Sequence, residues 1–177
     1  MSEQQISRGF MMGYRSNVAY TIRFNYREEG RSLFNMFLAE AKTNPATAPC
    51  FAELSPKDAP KNTQGLHIVD RGVGTAIEIN FMACDVKWYQ DYDDVKCHTA
   101  LLRMADEYID NLNNLMKVDL PRLGGDGFVE RDIHLLGYVY MCVGEADDDI
   151  ESIESNANGE YDYEWLYVTR KIEADWI

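Results

Sequence analysis

The chain is short of positive charge: 17 Lys and Arg stand against 30 Asp and Glu, giving a net charge of −13 and a pI near 4.6. Nucleic-acid binding takes most of its affinity from Lys and Arg that displace phosphate counterions, so this balance argues against a conventional DNA or RNA binder. It is compatible with a protein that imitates the charge of DNA, or that surrounds DNA without adhering to it. Long apolar runs are missing too. None approaches the roughly 20 residues a bilayer-spanning helix needs, so no membrane partner is expected. The first residues carry Glu3 and lack the apolar core and small-residue cleavage site of a secretory leader, which leads to the expectation of synthesis in a reducing cytoplasm.

Metal and redox signatures are equally scarce. Cys50, Cys97, Cys142 and Cys84 form no CxxC pair and each lies in or beside an apolar segment, the pattern of free structural thiols. His67, His98 and His134 are scattered. Cys97 and His98 are neighbours, but consecutive helical residues point about 100° apart and make a poor pair of ligands. The expectation is therefore no metal, no cofactor and no catalytic residue. Proline is rare as well, and four of the five prolines fall within residues 43–65, which read as a long punctuating loop with room for a brief strand at Cys50-Phe51-Ala52-Glu53-Leu54.

What the chain does have is concentrated acid. Residues 145–164 hold nine carboxylates and no Lys or Arg, so most of the net charge sits in one stretch and the rest is near balance. With 177 residues, 46% of them apolar, the composition is that of one folded domain. The domain expectation is 1–177 as a single α+β unit with an N-terminal arm (1–16) and an acidic hairpin loop (145–160).

Periodicity supplies the elements. Val95, His98, Leu101, Leu102, Ala105, Tyr108, Ile109, Leu112, Leu115 and Met116 recur at three- and four-residue steps, which predicts one long amphipathic helix over about 94–117. Asp91, Asp93 and Asp94 stand before it as capping and dipole charges. Leu33, Phe34, Phe37, Leu38 and Ala41 predict a shorter helix over 32–42, ended by Asn44-Pro45. Alternation predicts strands at 18–26, 75–84, 132–144 and 161–172, the third apolar on both faces and so covered twice, or once by helices and once by a neighbouring subunit. The fold expectation is α+β: a mainly antiparallel sheet with the long helix and one or two shorter helices packed on it.

Candidate motifs have plain alternatives. Glu154, Asn156, Asn158 and Gly159 imitate the start of a calcium loop, but the position that should close it is Trp165, and Asn158-Gly159 is a favoured hairpin turn. The Gly-rich stretches 71–74 and 123–127 lack the Lys-Ser/Thr pair of a phosphate cradle. Trp88, Tyr89 and Tyr92 are candidate interface aromatics, with strand-to-helix packing as the alternative. Glu145, Asp147, Asp148, Asp149, Glu151 and Glu154 form the candidate interaction surface, an exposed loop facing DNA or a basic partner.

Taken in order, the strings at 49–54, 77–82 feeding the long helix, and Leu136-Gly137-Tyr138 opening a late strand resemble the neck and tail-completion proteins of tailed bacteriophages, tail terminators among them. The resemblance covers about 100 residues by pattern. It implies a non-enzymatic virion subunit, assembled in the host bacterial cytoplasm. Copies would form a homo-oligomeric ring at the head-tail junction or tail end, in contact with other neck and tail proteins, with DNA passing through the lumen. Carboxylates lining such a channel would repel phosphate and let DNA slide. The alternative expectation is an acidic phage-encoded inhibitor that offers carboxylates to a basic host nuclease or restriction complex; a small enzyme ranks behind both, for want of a catalytic constellation.

Overall fold

A computed structural model describes residues 15–52, 64–72, 76–117, 135–144 and 150–156. Five strands form one sheet: β1 (Ser16–Asn25), β2 (Gly65–Asp70), β3 (Ala76–Val86), β4 (Leu136–Val143) and β5 (Ile150–Asn156). Two helices, α1 (Glu28–Thr43) and α2 (Asp93–Lys117), complete the α+β architecture. The strand order is β2-β3-β1-β4-β5, with every neighbouring pair antiparallel. It follows that β2 runs parallel to β1, and β3 parallel to β4. Parallel strands cannot be joined by a tight turn, and here α1 carries the first crossover and α2 the second. The two crossovers interleave, giving the β-α-β-β-α-β order of ferredoxin-like split units, with β5 added beyond β4.

β1 is the axis of this arrangement. Val18, Tyr20, Ile22 and Phe24 point to the helices, and each is 1% exposed or less. Ile77, Ile79, Phe81 and Ala83 from β3, Leu66 from β2, and Leu136, Tyr138 and Tyr140 from β4 extend the same buried face. The helices close it with Phe34, Phe37 and Ala41 from α1, and Cys97, Leu101, Met104, Ala105 and Ile109 from α2. Phe37 joins the two helices, its ring 5.3 Å from Tyr108 and 5.3 Å from Phe24. The opposite face is buried in part as well: Ala19, Thr21, Ala76, Glu78, Val139 and Val143 are all less than 9% exposed. Burial on both faces of β4 accords with its two-sided apolar sequence.

Differences from the expected elements have physical causes. β2 falls where no strand was expected; Leu66 and Ile68 alternate with His67 and Val69, a signal only six residues long. Cys50 and Phe51 lie in a 3-10 turn (Ala48–Phe51) instead of a brief strand. Asn44 and Pro45 end α1, the Asn44 side chain accepts the Ala46 amide, and the buried Thr47 hydroxyl donates to the Ala41 carbonyl at 2.6 Å. The chain is thereby folded back onto α1 before it can extend. The arm expected over 1–16 gives way at its end to β1, which already includes Ser16. The strand expected over 161–172 lies outside the described residues, as do Leu123 to Gly127 of the second Gly-rich stretch. Among the described residues no helix is long and apolar enough to cross a membrane.

Gly30 stands in the first turn of α1, against the end of β1, where an added Cβ would overlap the Asn25 carbonyl. Helix propensity alone favours alanine there by up to about 1 kcal/mol. Overlap with backbone costs more, so Gly30→Ala should lower stability by about 1–3 kcal/mol in urea denaturation. A neutral or stabilised variant would show that the strand-to-helix corner is looser than this packing requires.

Candidate functional site

The described residues bring chemistry together at the start of α2. Its first turn contains Asp93 and Asp94; Lys96 pairs with Asp93 at 2.8 Å, and Asp94 accepts the Val95 amide through Oδ1. These two aspartates place negative charge at the helix N-terminus, where the dipole favours it. One turn further in, Cys97 and His98 are both buried.

The 3-10 turn supplies the third member. Pro49 sits in its first positions and the Thr47 clamp fixes its approach, so Cys50 is presented, 6% exposed, to the beginning of α2. Cys50 Sγ lies 3.5 Å from His98 Nδ1, and Cys50, Cys97 and His98 hold their ligand atoms within 4.8 Å of one another. The proximity of the two thiols raises Cys50 and lowers Cys97 relative to an ordinary thiol. Cys97 Sγ also reaches the Asp94 carbonyl at 3.1 Å. Burial holds the His98 imidazole down at about 4, so it is neutral at pH 7. From the sheet, the fully buried Tyr20 hydroxyl meets His98 Nδ1 at 2.8 Å.

Aromatic rings enclose this imidazole. Phe81 lies 4.0 Å from it between ring centroids and Trp88 5.5 Å. A β-bulge positions Trp88. Ser16 pairs with Val86 but Val18 pairs with Ala83, so β3 carries one extra residue there. Asp85 takes φ 57° at that point, held by Asn17 Oδ1 at its amide and by Arg15 at its carbonyl. The extra residue reverses the parity of the strand, so Val86 and then Trp88 turn toward the core. Trp88, one of the candidate interface aromatics, packs on Phe81 and His98, in line with the strand-to-helix alternative. Tyr89 and Tyr92 stack edge-on, with Tyr92 42% exposed.

The acidic candidates divide differently from the expected loop. Glu145, Asp147, Asp148 and Asp149 lie outside the described residues. Glu151 and Glu154 belong to β5, where they pair with Cys142 and Val139. The chain has thus turned back by Ile150, before the expected Asn158-Gly159 turn, and residues 150–156 pair with β4 in spite of their acidic content. Glu151 is exposed, and so are Ile150 (59%) and Ile153 (44%).

A second polar cluster occupies the other sheet face. Glu78 is 3% exposed, with Arg71 Nε 2.7 Å from one carboxylate oxygen, Arg23 Nε 3.6 Å from the other, and Asn80 Nδ2 donating at 3.2 Å. Two guanidinium groups balance a buried carboxylate, so the cluster joins β1, β3 and the end of β2. An open groove between α1 and β2 has a volume of 430 Å³, and Arg31 and Asp70 pair across it. Comparison with protein-family models, curated proteins and solved structures finds no match to this chain.

Sequence reasoning placed His98 on the apolar face of α2 and missed its partners. Cys50 lies 48 residues away, in a segment read as loop or strand, and Tyr20 is 78 residues away. The available signal was modest: an apolar 3-10 turn ending in Cys-Phe, and a histidine interrupting the apolar face of α2.

Replacing Glu78 by Gln should destabilise the fold by about 1–3 kcal/mol, below the value for a fully buried pair because both arginines retain solvent contact. Chemical denaturation measures this directly. A loss below about 0.5 kcal/mol would mean that the arginines find equal partners elsewhere.

Proposed function

We propose that this chain is a non-enzymatic virion assembly subunit of a tailed phage, of the neck or tail-terminator kind, acting as a homo-oligomeric ring through which DNA passes. The observation that carries the reading is β5. Among the described residues it ends the sheet, and it bears Ile150 and Ile153 on opposite faces with the exposed Glu151 between them. An edge strand with protruding apolar residues is a template for a further chain unless it is covered, and a second copy is the occupant proposed here. The adjoining acidic segment would then lie close to the subunit boundary, where repeated carboxylates favour sliding of phosphate over adhesion. In this reading α2, as the long rod of the helix layer, supports the sheet from behind while neighbouring subunits meet along its edge.

Mass photometry of the full chain should show a ring-sized oligomer. Replacing Ile150 and Ile153 together by Asp should weaken association by at least about tenfold, since burying each isoleucine is worth about 1.5–3 kcal/mol, while the melting temperature of the separated subunit stays the same. Neutralising Asp147, Asp148, Asp149 and Glu151 to Asn and Gln should leave the ring intact and slow DNA passage. A monomer or dimer that binds a basic nuclease tightly and salt-sensitively, and loses that binding on neutralisation, would overturn the assembly reading in favour of the inhibitor.

A further inference from the structure

We propose that Cys50, Cys97 and His98 form a structural binding site for a soft divalent metal ion of the zinc type. The geometry is the first support. A tetrahedral zinc with Zn–S near 2.3 Å and Zn–N near 2.0 Å places sulfur and nitrogen ligands about 3.5 Å apart, and two sulfurs about 3.8 Å apart. The Cys50–His98 separation is 3.5 Å, and all the ligand atoms fall within 4.8 Å of one another. Small side-chain rotations therefore suffice to close the set, with no backbone movement.

Ligand chemistry is the second. Two thiolates neutralise a dication, and a neutral imidazole adds no charge, so the occupied site has zero net charge and can stay buried. Binding releases the two thiol protons. Nδ1 faces both the Tyr20 hydroxyl and Cys50 Sγ, so its single lone pair, which accepts from Tyr20 in this structure, would pass to the metal while the imidazole proton stays on Nε2.

The surroundings are the third. Tyr20, Phe81 and Trp88 wall the imidazole and restrict the tilt of its plane. The three ligands come from two places far apart in the chain, the turn after α1 and the first turns of α2, and both rest on β1. A metal here would staple the helix layer to itself directly over the central strand. Three protein ligands leave the fourth tetrahedral position to a water or other small ligand, and the ion's role is structural in that it would tie the turn after α1 to α2. This site stands apart from the assembly reading, and neither depends on the other.

The test uses the full reduced chain and two probes, zinc and cobalt. Cobalt should bind at one per chain, with a thiolate-to-cobalt charge-transfer band and the visible d–d absorption of a tetrahedral site; zinc should displace it and abolish both. Cys50→Ser and Cys97→Ser should each weaken binding by more than the roughly 10–100-fold loss that removing a supporting group causes. Cys84→Ser and Cys142→Ser should leave it unchanged. Zinc should also protect two thiols per chain from a thiol-reactive dye, a readout that needs no variant to fold. Absence of the charge-transfer band in the reduced chain would overturn the proposal. So would equal binding by the Cys50→Ser and Cys97→Ser variants.

Discussion

Everything in the described structure depends on β1 being bonded along both edges and buried beneath the helices. A strand in this position must satisfy its amides and carbonyls through neighbours, because water does not reach them, and β3 and β4 do so along nearly its whole length. Both flanking strands are antiparallel to β1, so they run parallel to each other, and a crossover between them is obligatory. That single constraint calls for α2. The same logic, one strand outward, makes α1 the route from β1 to β2.

The parts legible from the sequence were those with a long, regular period. β1 and β3 alternate over nine or more residues and α2 repeats over some 20, so local pattern and tertiary burial agree. β2 was not legible. Its six residues follow a Pro-rich loop, and a short alternation has little weight against that punctuation. Missing it hid the topology, because without β2 the order of elements does not reveal two interleaved crossovers. The acidic hairpin was misplaced for a related reason: IESIESN has no two-residue apolar alternation, and its pairing comes from the long strand β4 beside it, which local pattern does not report.

The candidate site was illegible because its members are joined only by the fold. On sequence alone Cys97 and His98 diverge around the helix, and the argument against their cooperation holds for that pair taken by itself. What alters it is Cys50, delivered by a turn that depends on Asn44, Pro45 and Thr47 acting in succession. None of those three has any metal chemistry. Trp88 shows the same dependence on context, since its inward direction follows from one extra residue at Asp85, and the alternation of β3 before the bulge points to the other face.

One row of side chains links the two ends of the functional reading. Leu66, Phe81, Tyr20, Tyr140 and Ile153 stand opposite one another in register across all five strands. The row begins buried at β2, passes through the phenol that meets His98, and ends at an isoleucine 44% exposed on β5. Adjacent strands lie about 4.8 Å apart, so the imidazole's hydroxyl partner and the exposed edge are separated by roughly 10 Å of close-packed rings. Trp88 packs on both Phe81 and His98 at the buried end of that interval. Close-packed cores transmit small displacements instead of absorbing them. Contacts with Tyr20, Phe81 and Trp88 therefore hold His98 in place from the buried end of the row, whatever covers Ile153 at the other end.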